Sequence, residues 1–105
     1  MSQEKDPYSF AIRLEDLAAR PLVCVTLGGK RIALAHADGV VYAFEDSCPH
    51  QGESLSKGKL QGCVVTCPAH NWKFDVKTGD STVVPDQFVY TFPVEIRGGD
   101  VFIKV

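Results

Sequence analysis

The chain is 105 residues long, which suits one domain and leaves little room for two. Hydrophobic residues make up 45% and charged residues 23%, the usage of an ordinary globular protein, so wholesale disorder is not expected. Eleven Lys and Arg against thirteen Asp and Glu give a formal net charge of −2. That balance argues against a nucleic-acid partner, because nucleic-acid binders carry a basic surface.

The sequence also argues against membrane insertion and secretion. No apolar run approaches the roughly 20 residues needed to span a bilayer. The polar start at residues 1–7 lacks the apolar core of a signal peptide. We therefore expect a cytoplasmic protein with no membrane partner. In a reducing compartment its four cysteines indicate metal binding or catalysis before disulfides.

Short segments of alternating apolar residues predict strands along most of the chain. The segments in chain order are 10–14, 23–27, 31–37, 40–44, 94–96 and 101–105. In the first of them Phe10, Ile12 and Leu14 share one predicted face. Turn signals at Asp38-Gly39 and at 98–100 predict two hairpins. The one predicted helix runs from Leu14 to Arg20 and stops before a proline.

Many short strands with frequent turns predict a small antiparallel barrel or sandwich. The segment from Asp46 to Trp72 departs from this pattern, because it is rich in Gly, Pro, Ser and Cys and contains two of the three histidines. A loop-rich segment of this length inside a small domain needs something to hold it, and a functional site is the usual cause.

Two Cys-Pro pairs in that segment each precede a histidine. The sequence reads Cys48-Pro49-His50, then sixteen residues, then Cys67-Pro68-Ala69-His70. Two sulfur and two nitrogen donors suit either a tetrahedral zinc ion or a 2Fe–2S cluster of the Rieske type. Zinc fingers usually pair Cys with Cys and His with His, whereas each half here is mixed. The spacing therefore favours the cluster, and a zinc-stabilised binding module is the alternative.

With this motif the chain resembles the Rieske family. The family's Cys-x-His and Cys-x-x-His pairs fall on Cys48, His50, Cys67 and His70. The resemblance covers nearly the whole chain, from about Phe10 to the C-terminus. Further family-like features are Cys-Pro-His-Gln-Gly at 48–52, Leu55, Gly58, Trp72-Lys73-Phe74-Asp75 and Thr78-Gly79.

The resemblance implies an all-β fold: a single domain, 1–105, in which a basal antiparallel barrel or sandwich carries a small cluster-binding subdomain at about 46–80. It implies one 2Fe–2S cluster with Cys48, His50, Cys67 and His70 as its ligands. The implied function is transfer of single electrons from a flavin-dependent ferredoxin reductase to an oxygenase terminal component. On this reading the protein is not itself an enzyme, has no small-molecule substrate of its own and is a monomer when free.

Departures from the high-potential members of the family predict a low redox potential. The Rieske proteins of bc-type complexes carry two extra cysteines that form a disulfide, where this chain has Glu53, or a neighbour, and Ala69. They also carry a Ser and a Tyr whose hydroxyls bond to sulfur, where this chain has Trp72 and Phe74. With fewer hydrogen bonds to sulfur, we expect a midpoint potential of about −150 mV.

Other functions are weighed against this one. A Rieske oxygenase needs a second iron bound by two His and a carboxylate, and only His36 is left after the ligands are assigned. A permanently docked Rieske-like small subunit of another redox enzyme, such as nitrite reductase, stays open. The class of oxygenase and its substrate belong to the partner.

The remaining residues of interest receive plainer interpretations. Cys24 and Cys63 are expected to be small buried hydrophobic residues, and His36 to be structural. Trp72 is expected with equal weight in the core or at an interface. The expected docking ring comprises Pro49, Gln51, Gly52, Ala69, Asn71 and Trp72. The charged residues near the loops, expected to form a mixed solvated surface, are Glu45, Asp46, Glu53, Lys57, Lys59 and Lys73.

Overall fold

The computed structural model describes residues 6–49, 52–69 and 71–105. No helix in this part of the chain is long and apolar enough to cross a membrane. The elements in chain order are β1 Tyr8–Arg13, α1 Leu14–Ala19, β2 Leu22–Leu27, β3 Lys30–Ala37, β4 Val40–Glu45, a 3₁₀ helix Leu55–Lys57, β5 Lys59–Gln61, β6 Val64–Thr66, β7 Lys73–Asp75, β8 Thr91–Phe92, β9 Val94–Arg97 and β10 Asp100–Lys104.

The strands form three antiparallel sheets, and the predicted all-β fold is confirmed. The first sheet has the order β1-β10-β9, the second β2-β3-β4-β8 and the third β5-β6-β7. The predicted helix is present as α1, with Glu15 and Asp16 in its first turn. Acidic residues are favourable there because the N-terminal end of a helix carries a partial positive charge.

Both predicted hairpins are present. β3 and β4 pair across Asp38 and Gly39, whose φ angles are 52° and 76°. β9 and β10 pair across Gly98 and Gly99, with φ angles of 55° and 87°. Two consecutive residues with positive φ make the tight turn whose twist matches that of paired strands, which is why Asp-Gly and Gly-Gly predicted these turns.

The predicted alternation in the first strand is broken by a bulge. The pairing of β1 with β10 shifts register between Phe10 and Ile12. Ala11 and Ile12 consequently both pack against the core, while Phe10 is 49% exposed. Its ring meets the edge of Phe102 at a centroid distance of 6.0 Å. A bulge inserts one extra residue, so the side chains before and after it no longer follow a period of two.

The second sheet is the middle layer of the molecule, because side chains on its two faces belong to two separate cores. Strand β3 is buried on both faces: Ile32 and Leu34 lie in the core shared with the first sheet, and Ala33 and Ala35 lie in the core shared with the third. The small alanine side chains leave the second core room for larger groups. That second core contains the two cysteines of the predicted metal site.

A substitution of Gly79 tests how closely the backbone is packed at this position. Its φ is +84°, and a Cβ there would lie 2.2 Å from the carbonyl oxygen of Val89. Gly29 has a similar φ of +77° with nothing within 4 Å. Both alanine substitutions bear the strain of positive φ, but only Gly79→Ala adds overlap with backbone. We expect Gly79→Ala to lower the melting temperature by about 5–15 °C more than Gly29→Ala does. Equal melting temperatures in a thermal scan would contradict this.

Candidate metal centre

The first cysteine-containing loop begins directly after β4. Cys48 N–H donates to the carbonyl of Glu53 at 2.8 Å, and Gly52 N–H donates back to the carbonyl of Cys48 at 2.7 Å. Gly52 has a positive φ of 70°. These two backbone bonds close the chain into a tight loop with Cys48 at its base.

The second loop joins β6 to β7 and repeats the same backbone pattern. Cys67 N–H donates to the carbonyl of Trp72 at 2.7 Å, and Asn71 N–H donates to the carbonyl of Cys67 at 3.2 Å. The φ of Asn71 is 59°. Each loop thus has a bond from the cysteine to the fifth residue after it, and a left-handed residue four positions after the cysteine.

This repetition extends what the Cys-Pro pairs indicated. Gly52 and Asn71 stand at equivalent positions, and glycine and asparagine are residue types that tolerate positive φ. The sequence predicted both residues only as members of the docking ring. Their equal spacing from the two cysteines was the available signal for a repeated loop.

The two cysteines are buried, whereas the outer parts of the loops are not. Cys48 and Cys67 are both 0% exposed and belong to one core cluster with Leu55, Val65 and Phe74. The residues around them that lie on the surface are Pro49, Gly52, Pro68, Ala69 and Asn71. The predicted ligands His50 and His70, and Gln51 of the predicted docking ring, lie outside the described residues.

The donor set suits a 2Fe–2S cluster. Two cysteines at equivalent positions of two like loops lie inside one apolar core, where their sulfurs are shielded from water and suit the two thiolate positions of such a cluster. All four cysteines of the chain lie in the described part and none forms a disulfide. The sequence places a histidine two or three residues after each cysteine at the base of a loop, which makes a set of two sulfur and two nitrogen donors.

Trp72 and Phe74 follow the second loop and line its inner side. Trp72 is half-buried against the core that contains both cysteines, and Phe74 is 1% exposed within it. Their rings are 6.5 Å apart between centroids. Trp72 thus packs on the core with one side and reaches the surface with the other. Neither aromatic side chain offers a hydroxyl to a neighbouring sulfur.

Asp46 was expected on the mixed solvated surface, but the structure buries it. It is 1% exposed. Its carboxylate accepts hydrogen bonds from the hydroxyls of Ser54 and Ser56, and from the backbone N–H of Ser56 at 2.6 Å. Burial by itself raises the pKa of a carboxyl, but these donors outweigh it and hold the pKa of Asp46 below its usual range. The nearby serines were the signal for this network.

The two cysteines outside the loops are more exposed than predicted. Cys24 lies on the exposed side of β2. Partial burial, followed by a hydrogen bond to the Asp46 carboxylate, raises the pKa of its thiol to about 11. Cys63 is half-buried, and its thiol donates to Asp38 at 3.5 Å. Desolvation and the Asp38 carboxylate raise the pKa of Cys63 as well. Alternating patterns indicated burial, but Cys24 lies on β2, an edge strand of its sheet, and Cys63 lies in the turn between β5 and β6.

The equivalence of the loops predicts that their left-handed residues are interchangeable. We expect Gly52→Asn and Asn71→Gly to leave the melting temperature within about 3 °C of wild type, because both residue types tolerate this conformation. Gly52→Val and Asn71→Val serve as the contrasting pair. A β-branched residue at positive φ is strained by about 1–2 kcal/mol or more. A thermal scan in which the valine variants match the exchanged pair would refute the equivalence.

Comparisons with known proteins agree with this geometry. Residues 8–93 match the family described as Rieske [2Fe-2S] domain. The ferredoxin component of a naphthalene 1,2-dioxygenase system from Pseudomonas putida is 36% identical over 96 residues, which are 90% of this chain and 92% of that protein. The ferredoxin subunit of a 3-phenylpropionate/cinnamic acid dioxygenase from Escherichia coli K12 is 40% identical over 76 residues, 70% of this chain and 72% of that protein.

A solved structure shares the fold over nearly its full length. It is a chain of the complex of reduced oxygenase and oxidized ferredoxin in carbazole 1,9a-dioxygenase, with a TM-score of 0.86 and 29% identity. The match covers 95% of this chain and 94% of that chain. The paired cysteine loops, the three-layer β fold and the match over residues 8–93 lead to one conclusion: the chain belongs to the Rieske 2Fe–2S domain family, and its cofactor is a Rieske-type 2Fe–2S cluster.

Proposed function

We propose that this protein carries single electrons from a flavin-dependent reductase to the terminal component of an oxygenase system, with its cluster bound by Cys48, His50, Cys67 and His70. The observation that carries the proposal is the pair of buried cysteines at the base of two equivalent loops, in a chain of this family. The protein is an electron carrier and not a catalyst, as are the dioxygenase ferredoxin components that it resembles.

The ligand assignment has a simple chemical logic. When bound, a 2Fe–2S cluster with two histidine ligands supplies a one-electron couple at a higher potential than an all-cysteine cluster does. Cys48 and Cys67 provide the two thiolates from inside the apolar core. His50 and His70 provide neutral imidazoles in place of two further anionic thiolates. The ligand set therefore carries about two fewer negative charges than four cysteines do.

The apolar core at the base of the loops also keeps water away from the sulfurs of the two cysteines. Leu55, Val65 and Phe74 are each no more than 1% exposed and surround the two cysteines in one cluster. A rigid apolar environment reorganises little when the charge beside it changes. That property suits a protein whose only chemistry is to gain and lose an electron.

The surface beside the loops suits docking to a redox partner. Pro49, Gly52, Ala69 and Asn71 are exposed, uncharged and small or compact. A surface of this kind lets another protein approach the loops closely without desolvating a charge. Glu53, Lys57 and Lys59 are exposed nearby and could orient a partner by charge. We infer that this face, completed by Gln51 and the outer side of Trp72, meets reductase and oxygenase in turn.

The domain organisation and the setting follow from the same features. We infer a single domain, 1–105, with a cluster-binding subdomain at about 46–80, which contains both cysteine loops and the third sheet. Four cysteines with no disulfide among them support a cytoplasmic location. A carrier that serves two partners alternately is expected to be a monomer when free.

The ligand assignment is tested on the anaerobically purified protein. We expect iron and acid-labile sulfide in equal amounts, and an electron paramagnetic resonance spectrum of the dithionite-reduced protein with a lower average g than an all-cysteine 2Fe–2S cluster gives. His70→Cys should raise the average g or abolish cluster binding, since a thiolate replaces an imidazole. His36→Cys is the matched control and should leave the spectrum unchanged.

Three results would contradict this proposal or a part of it. A colourless protein that contains zinc and no iron would favour the zinc-stabilised binding module. An unchanged spectrum in the His70→Cys variant would remove His70 from the ligand set. Obligate co-purification with a large subunit would favour a permanently docked subunit over a free carrier.

The aromatic residues beside the second loop predict the redox potential. We expect a midpoint of about −150 mV, because Trp72 and Phe74 stand where the high-potential members of the family carry hydroxyl residues, and neither of them has a hydroxyl. Phe74→Tyr introduces a hydroxyl within the core that contains both cysteines. One net hydrogen bond of about 1 kcal/mol to the reduced form would raise the midpoint by roughly 40 mV. Phe92→Tyr, in the other core, is the control for a potentiometric titration. A clearly positive wild-type midpoint would contradict the assignment to the low-potential ferredoxins.

A further inference from the structure

The segment between the two cysteine loops contains a short connecting element, the 3₁₀ helix Leu55–Lys57. It starts two residues after Glu53, where the first loop closes, and is followed by β5 of the third sheet. Lys57 N–H donates to the carbonyl of Ser54 at 3.2 Å, and Gly58 N–H donates to the carbonyl of Leu55 at 3.0 Å. The Leu55 side chain is fully buried in the core cluster that contains both cysteines.

One side of this helix is fixed to the start of the first loop. Asp46 stands two residues before Cys48, and its carboxylate takes three hydrogen bonds from Ser54 and Ser56. The backbone N–H of Asp46 in turn donates to the carbonyl of Arg31 in β3 at 3.2 Å. The bonds of the Asp46 carboxylate therefore close the first loop in addition to the backbone bonds of Cys48. The bond from the Asp46 N–H attaches the loop to the middle sheet.

The other side of the helix touches the start of the second loop. A Cβ on Gly58 would lie 1.8 Å from the carbonyl oxygen of Thr66 and 3.2 Å from that of Leu55. Thr66 directly precedes Cys67. The backbone of Gly58 is extended, with φ −83° and ψ −153°, so any residue could adopt its conformation. Glycine is required here by the close approach of two backbones and not by its own dihedral angles.

We propose that Asp46 and Gly58 are positioning residues that set the distance between the two cysteine loops through the 3₁₀ helix. Asp46 fixes the helix to the residues before Cys48, and Gly58 lets the same helix lie against the residue before Cys67. The connection is short and made of buried hydrogen bonds and backbone contact, so a change at either end moves one sulfur relative to the other. This inference rests on the proposed role of Cys48 and Cys67 as cluster ligands.

Gly58→Ala tests the contact with the second loop. The added methyl must push the helix away from Thr66, so we expect iron release to a chelator to be about tenfold faster, together with a changed electron paramagnetic resonance spectrum. Gly62→Ala is the matched control. It lies in the neighbouring turn between β5 and β6, with φ +59° and nothing within 4 Å of its Cβ. It weakens the hairpin without touching Thr66, and should leave the spectrum unchanged.

Ser56→Ala and Asp46→Asn test the contact with the first loop. Ser56→Ala removes the hydroxyl that donates to Asp46 and that also bonds to the Ser54 hydroxyl at 3.0 Å, and it keeps the backbone bond to Asp46. It changes no charge and adds no atoms, so we expect this variant to fold even if Gly58→Ala does not. It then tests the proposal by itself. We expect about fivefold faster iron release with a shifted spectrum, the factor that matches one lost hydrogen bond. Asp46→Asn should act in the same direction. Asp75→Asn is its control, because the Asp75 carboxylate accepts a local bond from the backbone N–H of Lys77, two residues further along the chain.

The outcomes separate this inference from the proposed function. Wild-type protein without iron and sulfide would overturn the proposed ligands, and the positioning role with them. Wild-type protein that holds a cluster, combined with Gly58→Ala or Ser56→Ala variants that keep wild-type spectra and release rates, would overturn the positioning role alone. A lower melting temperature with an unchanged spectrum would mean that these residues merely stabilise the fold, and would also overturn it.

Discussion

The structure depends on bringing two thiols from two separate loops into one apolar core while the loops that bear them stay at the surface. Cys48 and Cys67 are fully buried in a single cluster. Each is held by a backbone bond from its own N–H and by another to its own carbonyl. Backbone bonds suit this task because they fix the shape of the loop through main-chain atoms, whatever the side chains do. A loop held only by side chains would deform more easily when the cluster changes charge.

The middle sheet makes this arrangement possible. The larger side chains of β3, Ile32 and Leu34, lie in the core shared with the first sheet. Its alanines lie in the core that contains the loop cysteines. The first core stabilises the scaffold, and the second is left with space for the loops and for the aromatic ring of Phe74. One strand with two unlike faces thus separates the core of the scaffold from the core that contains the two loop cysteines.

Asp46 is a charged side chain buried beside this apolar region, and its hydrogen bonds offset the free-energy cost of its burial. A buried carboxylate is destabilising unless its oxygens are occupied, and serine hydroxyls with a backbone N–H occupy them here. The low pKa of Asp46 reflects those donors. Cys24, which also bonds to Asp46, is kept protonated by the same carboxylate and by partial burial. Its thiol therefore differs in charge state from a cysteine that binds iron.

The sequence by itself determined the chemistry and the kind of fold: alternating segments predicted the strands, Asp38-Gly39 and Gly98-Gly99 the hairpins, and the two mixed Cys/His pairs the type of cofactor. These signals are local, because period-two patterns, turn residues and ligand spacings are properties of short segments. Only the tertiary structure decided that a bulge turns Phe10 outward, that Asp46 is buried and that Gly58 meets Thr66. Each of these depends on how separate elements of the chain pack against one another, and no local pattern specifies which backbone will lie against which.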